Sequence, residues 1–455
     1  MAKQSTVRFY GGAGSVTGSN FMLDTGAKKF LVDCGLFQGE HATELGNWEP
    51  FSYAPREVSV LINTHVHIDH IGRIPKLVRD GYTGPILSTV ASKALAEPLL
   101  LDALELNKHE AEKLGKEPLY EEKDIVQAMK QWEGVGYHEP RDMGDGVTLE
   151  LFNSGHILGS AMAKFSRAGR SMIFSGDLGG GNSPLLPLAE HPQGAQYLLI
   201  ESVYGDKKRP DDSNRRQLLA NIIKETSSRG GTLLIPAFST ERTQDLLFEI
   251  RGLMLEKEIP SVPVYIDSPL AEKITAGYIA HPDYFNVDIQ QRISAGEHIF
   301  SFPELHFIEN THESQALNDK PQAKILIAGS GMSNGGRVIS HEQILLQDPQ
   351  STLLIVGFQA AGSLGRRLVE GAKKVTIRGT SVPVRCHIET MYGYSAHMDG
   401  EQLVDFVGAV GGSLQEVFVA MGEPASAGFL AQRIRDYLSI KATAPEVGDS
   451  VVIDL

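Results

Sequence analysis

Apolar residues early in the chain come in short runs broken by glycine, asparagine and aspartate, a spacing that predicts strands joined by tight turns. Within residues 6–35, VRFY, NFMLD and FLVDCG read as a meander linked by GGAGSVTGS and TGAKK. Gly11, Gly12, Gly14 and Gly18 look superficially like a dinucleotide fingerprint. The following segment alternates as a strand and no helix follows, so a glycine-rich hairpin is the better reading. Val58, Val60, Leu61 and Ile62 form a β-branched run that reads as a buried strand. Over residues 91–133 the period changes: Ala91, Leu95, Leu99, Leu100, Leu104 and Leu106, then Ile125, Met129 and Trp132, recur at helical spacing. Charges between them, among them Glu110, Glu112, Lys113 and Lys116, read as a solvated face, so this is a helical excursion without chemistry of its own. Strand signals return at Val147–Phe152 and Ser171–Phe174.

From about residue 207 helix and strand alternate. Helices are expected over 213–228, 241–256, 337–346 and 364–370, and strands over Thr232–Ile235, Val262–Ile266, Ile325–Ala328 and Leu353–Val356. Such alternation predicts a parallel, doubly wound α/β sheet. After Val384 short strands resume, with a strand at Glu416–Ala420, a helix over 424–438 and a terminal strand Val451–Asp454. The expected organisation is therefore a first domain built from 1–206 and 384–455, with 207–383 inserted. A length of 455 residues agrees with two cores. The 42% hydrophobic and 22% charged residues are those of a soluble globular protein. No apolar run reaches membrane-spanning length, no secretory leader is read, and Cys34 and Cys386 give no disulfide framework, so a cytoplasmic setting is expected. A net charge of −14 argues against a coat that binds nucleic acid by bulk charge, but not against a nuclease whose metals and local basic groups attract it.

Chemistry concentrates in Ile62–Pro75, INTHVHIDHIGRIP, which packs His65, His67, Asp69 and His70 into six positions. Imidazole and carboxylate are the donors zinc prefers. On an extended segment His65, His67 and Asp69 would face one side, and a turn at His70 would let it face inward too. A lone histidine is best read as a solvated polar residue; three with an aspartate after a buried strand point to metal. His156 and Asp177 each stand in a small-residue loop after a short strand and supply further ligands. One zinc would take His65, His67 and His156, a second Asp69 and His70, with Asp177 bridging. Asp33, at a strand end, is either an orienter of a ligand histidine or a turn cap.

With Asp33, the HxHxDH cluster, His156 and Asp177 in this order, the chain resembles the metallo-β-lactamase superfamily. That resemblance implies an αββα sandwich with metals at one edge. Glu201-Ser202-Val203-Tyr204-Gly205-Asp206 and Tyr394-Ser395-Ala396-His397-Met398-Asp399 resemble the two motifs of the β-CASP nucleases. Pro236-Ala237-Phe238, Arg242-Thr243-Gln244, Asp267-Ser268-Pro269, Ser330-Gly331-Met332 with Gly335-Gly336-Arg337, and Gly357-Phe358-Gln359 with Gly365-Arg366-Arg367 are similar too. Nearly the whole chain is covered, and the likeness is closest to bacterial and archaeal RNA-processing members related to the cleavage-and-polyadenylation endonuclease.

By this resemblance the protein is expected to be a zinc-dependent ribonuclease acting on single-stranded RNA, with no membrane partner and compatible with a homodimer. Metal-activated hydroxide would attack the phosphodiester beside Asp69, and His397, held by Glu201, would protonate or stabilise the leaving group. Small residues from Ser330 to Arg337 form a phosphate seat, and Arg337, Arg366 and Arg367 are candidates for a nucleic-acid path between domains. Lys207, Lys208 and Arg209 are a further contact or an exposed turn. One element departs: where the family carries a histidine in VHGE, this chain reads EVFVAMGEP, with Met421 at the matching position. A thioether is a poor zinc ligand among oxygen and nitrogen donors, so one zinc is expected to be firm and the second weaker. Two alternatives follow from Met421: a DNA nuclease of the same family, or a non-catalytic RNA-binding scaffold. A lactamase-like small-molecule hydrolase is disfavoured by the long insertion.

Overall fold

A computed structural model describes residues 4–39, 46–208, 214–320, 322–357, 359 and 362–455. Arg209 and Phe358 lie outside the described residues. Two compact units emerge: the first holds 1–181, 186–208 and 396–455, the second 182–185 and 209–395.

The first unit is an αββα sandwich. One seven-stranded sheet runs in the order Ser450–Asp454, Gln4–Gly11, Asn20–Asp24, Lys29–Val32, Val60–Ile62, Ile86–Thr89, Trp132–Val135. The other runs Lys441–Thr443, Glu416–Val419, Tyr197–Ile200, Arg170–Phe174, Ala161–Arg167, Val147–Asn153, Arg141–Gly144. Strict alternation explains the packing. Val147, Leu149 and Leu151 point inward along one strand, and Val7 and Phe9 along another, while their neighbours face out. Together with Phe21, Phe30, Phe165, Phe174 and Phe418 they fill the layer between the sheets. The outer face of the second sheet, through Ile173, Leu198, Ile200, Val417 and Val419, is covered by helices Gly400–Val410 and Pro424–Leu438. On the first sheet the helix Val90–Leu114 lies against Ile86–Thr89 and Trp132–Val135. Where helices cover the outer face, as over Tyr197–Ile200 and Glu416–Val419, every position of the strand is buried and the apolar run is near-continuous.

In the second unit a six-stranded sheet is parallel throughout, in the order Leu305–Phe307, Val264–Asp267, Lys324–Ala328, Thr232–Pro236, Thr352–Val356, His387–Met391. Its four central strands are buried at every position. Helices cross over between strands, the doubly wound arrangement expected from the sequence. The glycine-rich segment 12–19 joins two antiparallel strands, so the hairpin reading holds.

Two local expectations fail. Trp132 does not continue a helix. The helix ends at Gln131, and Trp132–Val135 pairs in parallel with Ile86–Thr89, the indole N–H donating to Ser88 Oγ at 2.8 Å. Asp69 is not on an extended segment either. Ile68–Ile71 forms a short helix with His67 as its cap, and the amides of His70 and Ile71 both donate to the His67 carbonyl. Among the described residues no helix is long and apolar enough to cross a membrane.

Candidate active site

In the first unit Asp33, the His65 cluster, His156, Asp177 and Glu201 each follow the C-terminal end of a strand. Asp33 follows Lys29–Val32, the His65 cluster follows Val60–Ile62, and these strands are parallel neighbours. His156 follows Val147–Asn153, Asp177 follows Arg170–Phe174, and Glu201 follows Tyr197–Ile200, again running in one direction. The two loop sets meet where the Ala161 amide donates to the Thr64 carbonyl at 2.8 Å.

Four donors converge there. His65 Nε2 and His67 Nδ1 lie 3.1 Å apart, and His67 Nδ1 and His156 Nε2 3.2 Å apart. Asp177 Oδ2 is 3.4 Å from both His65 Nε2 and His156 Nε2. A tetrahedron on metal bonds of ~2.0–2.1 Å has edges of roughly 3.3–3.4 Å, so these four residues fit a four-coordinate ion such as zinc. Three of them are buried and His67 is half-buried. Burial, and then the neighbouring imidazoles, hold His67 and His156 well below the usual histidine range, which keeps them neutral and able to donate lone pairs. Burial would raise the Asp177 carboxyl, but the imidazoles of His70 and His65 outweigh it and keep it well below the usual range.

Asp33 sets the orientation of the His65 and His70 rings. It sits at φ +60°, where its Oδ1 accepts from the Thr64 amide at 2.8 Å and from Asn63 Nδ2 at 3.1 Å. Its Oδ2 accepts from Thr64 Oγ1 at 2.8 Å and Ser19 Oγ at 3.2 Å, and faces His70 Nδ1 at 2.7 Å. A hydroxyl has one proton, and Thr64 gives it to Asp33, so Thr64 accepts from His65 Nδ1 at 3.2 Å. His65 and His70 thus each turn Nε2 toward the cluster.

On that side a second donor set is thinner. His70 Nε2 lies 3.4 Å from Asp177 Oδ1 and 3.9 Å from Asp69 Oδ2. His70 Nε2 and Asp177 Oδ1 are both buried without a hydrogen-bond partner, atoms whose chemistry suits a cation. Burial raises the Asp69 carboxyl, partly offset by His70. Met421, at the position where the resemblance expects a histidine, is a core residue. It is 2% exposed, packs in the apolar layer between the sheets with Phe21, Phe418 and Ala420, and donates its amide to the Gly12 carbonyl. Among the described residues, the donor groups lying within 4.8 Å of one another are His65/His67/His156/Asp177 and Asp177/Glu201/His397.

Glu201 and His397 meet although 196 positions separate them. His397 Nδ1 lies 3.1 and 3.0 Å from the two carboxylate oxygens of the fully buried Glu201. Glu201 Oε1 also accepts from the Leu178 amide at 2.6 Å, next to Asp177. Burial alone would lower His397, but the charge and hydrogen bond of Glu201 outweigh it and push it up to about 9, while burial raises the Glu201 carboxyl. The ring of His397 lies 4.6 Å, centroid to centroid, from that of His156.

Three residues that hold this arrangement carry no motif of their own. Gly179 pairs with His397, flanked by hydrogen bonds from the Gly180 amide to the Ala396 carbonyl (2.7 Å) and from the Met398 amide to the Leu178 carbonyl (2.9 Å). A Cβ on Gly179 would lie 1.8 Å from the Gly155 carbonyl oxygen, so only glycine lets the Asp177, His156 and His397 loops stack. Gln402 bridges two of them, accepting from the Asp399 amide at 3.1 Å and donating to the Gly180 carbonyl at 3.0 Å. Thr64, the third, was visible only as the residue before His65.

The nucleic-acid candidates of the second unit differ in availability. Arg337 donates to Asp267 Oδ1 at 2.6 Å and to the Ile308 and Glu309 carbonyls at 3.0 and 2.8 Å. Its guanidinium is thereby committed inward. Ser330 Oγ accepts from the Asn334 amide at 3.2 Å, closing its loop. Arg366 and Arg367 are exposed, Arg366 paired with Glu370 at 2.7 Å. In the first unit Lys207 and Lys208 are exposed, Lys208 paired with Glu401 at 3.0 Å.

Comparison with known proteins agrees with this geometry. The profile of the metallo-beta-lactamase superfamily matches residues 14–236, that of the Beta-Casp domain 243–368, and that of the Zn-dependent metallo-hydrolase RNA specificity domain 381–445. Ribonuclease TTHA0252 of Thermus thermophilus is 36% identical over 399 residues, covering 88% of this chain and 89% of that protein. The transcription termination factor FttA of Methanosarcina mazei is 30% identical over 95% of this chain and 69% of its own length, and that of Methanocaldococcus jannaschii 30% over 98% and 71%. A solved structure from Enterococcus faecalis V583, described as a protein of unknown function, aligns over 99% of this chain and 100% of its own with TM-score 0.57 and 14% identity, a likeness of fold alone.

Proposed function

The chain belongs to the metallo-beta-lactamase superfamily, in the branch that carries a Beta-Casp domain, and from that premise we propose that it is a zinc-dependent ribonuclease cutting single-stranded RNA. The observation that carries the reading is the four-donor cage, with edges of 3.1–3.4 Å, beside a histidine gripped by a buried glutamate. Zinc, when bound, supplies neutralisation of phosphoryl charge and an acidified water. His65, His67, His156 and Asp177 would hold it. Asp69, His70 and the second oxygen of Asp177 would hold another ion more weakly, because Met421 is turned into the core instead of toward them. Glu201 fixes the His397 ring through Nδ1, which leaves Nε2 as the nitrogen that carries a proton to the leaving oxygen. Unpaired Cys34 and Cys386 are in keeping with a reducing, cytoplasmic setting.

The reading is tested on purified protein with labelled RNA and single-stranded DNA of matched sequence, with metal content measured on the same sample. RNA is expected to be cut, with about one zinc retained through dialysis and a second exchanging readily. Asp177→Asn is expected to lose the retained zinc together with cleavage. Cleavage of DNA in preference to RNA would move the assignment to a DNA nuclease. RNA binding without turnover, at less than one zinc per chain, would make the protein a scaffold.

A further inference from the structure

After Gly181 the chain makes a short excursion, Asn182–Leu185, into the second unit, and at Ala396 it returns to the first unit for the last time. Asp177 stands shortly before the one passage and His397 directly after the other. On the first-unit side the two segments are joined by backbone alone. The Gly180 amide donates to the Ala396 carbonyl at 2.7 Å and the Met398 amide to the Leu178 carbonyl at 2.9 Å, with Gly179 opposite His397.

On the second-unit side one side chain takes over. Arg215, at the start of the helix Arg215–Ser228, donates from Nη1 to the Asn182 carbonyl at 2.7 Å and to the Gly393 carbonyl at 2.9 Å. Asn182 Nδ2 adds a bond to the Gly393 carbonyl at 3.3 Å. The guanidinium is itself held from two sides. Its Nη2 donates to Glu249 Oε1, while the Tyr394 hydroxyl donates to Glu249 Oε2. Its carbon lies 4.5 Å from the centroid of the Tyr394 ring. Glu249 and Tyr394 are buried, and the Arg215 side chain is 12% exposed. Without the guanidinium, the Asn182 and Gly393 carbonyls and a buried Glu249 oxygen each lose a donor. A lysine lacks the planar fork that reaches a carboxylate and two carbonyls at once. The clasped carbonyls lie a few residues from the Gly179–His397 bridge, so slack at Arg215 becomes freedom of the backbone under His397.

We propose that Arg215 is a positioning residue for His397: by clasping the Asn182 and Gly393 carbonyls it fixes the ribbon that presents the imidazole to the leaving oxygen. The proposal rests on the ribonuclease reading, and the experiment separates the two. Zinc-loaded wild type, Arg215→Ala, Tyr394→Phe, His397→Ala and the Arg215→Ala/His397→Ala double variant are compared on RNA and on bis(p-nitrophenyl) phosphate. Nitrophenolate leaves without a proton, so that diester reads the metal cage and not the acid. Arg216→Ala is the control, because Arg216 lies on the same helix but pairs with Glu256 and Glu258 at 2.6 and 3.2 Å. Hydrogen exchange by peptide is followed on the same proteins without substrate.

Arg215→Ala is expected to lower kcat on RNA roughly 10- to 100-fold, the scale of an ångström-sized misplacement. KM, zinc content and hydrolysis of the nitrophenyl diester should stay as in wild type. The double variant should be no slower on RNA than His397→Ala, since both changes act through one group. Peptides carrying the Gly180 and Met398 amides should lose protection in Arg215→Ala and keep it in Arg216→Ala. Tyr394→Phe keeps the ring and removes one donor to Glu249, so it should lower kcat by less, and it carries the test where Arg215→Ala does not fold. Equal losses on both substrates, additive losses in the double variant, or unchanged protection would each overturn the proposal. A raised KM at constant kcat would overturn it too, making Arg215 a contact of the RNA. A wild type that cuts no RNA would sink the ribonuclease reading, while exchange at Gly180 and Met398 would still decide the clasp.

Discussion

Glu342 shows what a single buried acid does when no cation meets it. It is fully buried in the second unit, accepts a hydrogen bond from Ser333 Oγ on Oε1, and leaves Oε2 without a partner. Burial, only partly offset by Ser333, pushes its carboxyl up from 4.5 to about 8. The folded-state value lies above the unfolded one, so between these pH values the native state binds the extra proton. The stability contribution is therefore complete below about pH 4.5 and is lost as pH rises through about 8. At about 1.4 kcal/mol per tenfold change in proton affinity, the full effect is on the order of 3–5 kcal/mol. Glu342→Gln keeps the shape and removes the titration. Urea midpoints taken from pH 5 to 9 should fall for wild type relative to the variant, with the gap opening toward pH 9. Parallel curves would show that Glu342 is charged and paired throughout.

At the scale of elements, the site depends on three loops stacking with no side chain between them. Gly179→Ala puts a methyl 1.8 Å from the Gly155 carbonyl oxygen and 2.8 Å from the His156 amide nitrogen. Backbone has to move, and with it His156 on one side and His397 on the other. The expected outcome is a zinc affinity weakened by 10- to 100-fold, the range seen when support behind a ligand is lost, together with overpacking of about 1–3 kcal/mol. Gly412→Ala, where a Cβ meets nothing within 4 Å, should change neither. Competition against a chromophoric chelator reads the affinity, and equal values for the two variants would refute this account. The same loops mark what the sequence makes legible. His65, His67, Asp69 and His70 fall within six consecutive positions after an apolar strand, so their chemistry is a local pattern. Gly179 and Gln402 act through partners far along the chain, Gly179 through His397 and Gln402 through Gly180, and no spacing in one chain announces such contacts. Short apolar runs misled for another reason. Trp132 continues a helical spacing, yet its indole finds Ser88 and its backbone the parallel strand Ile86–Thr89, so tertiary pairing overrides the local period. Asp69 left the extended segment because a single helical turn begins at Ile68, and a run of four residues has no period to read.

For the whole molecule, the metal and the stability of one unit are linked. All the proposed zinc ligands lie in the first unit, while the second keeps its own core in Leu234, Leu326, Leu353, Ile355 and their neighbours. An ion that binds only the folded state stabilises it by RT ln(1 + [L]/Kd), about 2.7 kcal/mol at a hundredfold excess over Kd. Without it, His70 Nε2 and Asp177 Oδ1 remain buried and unpartnered, and three imidazole nitrogens converge with nothing to share. Chelation should therefore loosen the first unit selectively and lower its thermal midpoint by roughly 5–10 °C, at ~2–4 °C per kcal/mol for a unit of this size. Hydrogen exchange followed by peptide resolves the two units in one sample. Val60–Ile62 and Arg170–Phe174 should lose protection when zinc is removed and regain it when zinc returns, and Thr232–Pro236 should not respond. Equal deprotection of all three strands would mean that the metal holds the two units as one cooperative body. Protection unchanged everywhere would mean that the cage is stable empty and that Asp33, with its four donors and His70, is enough to keep it so.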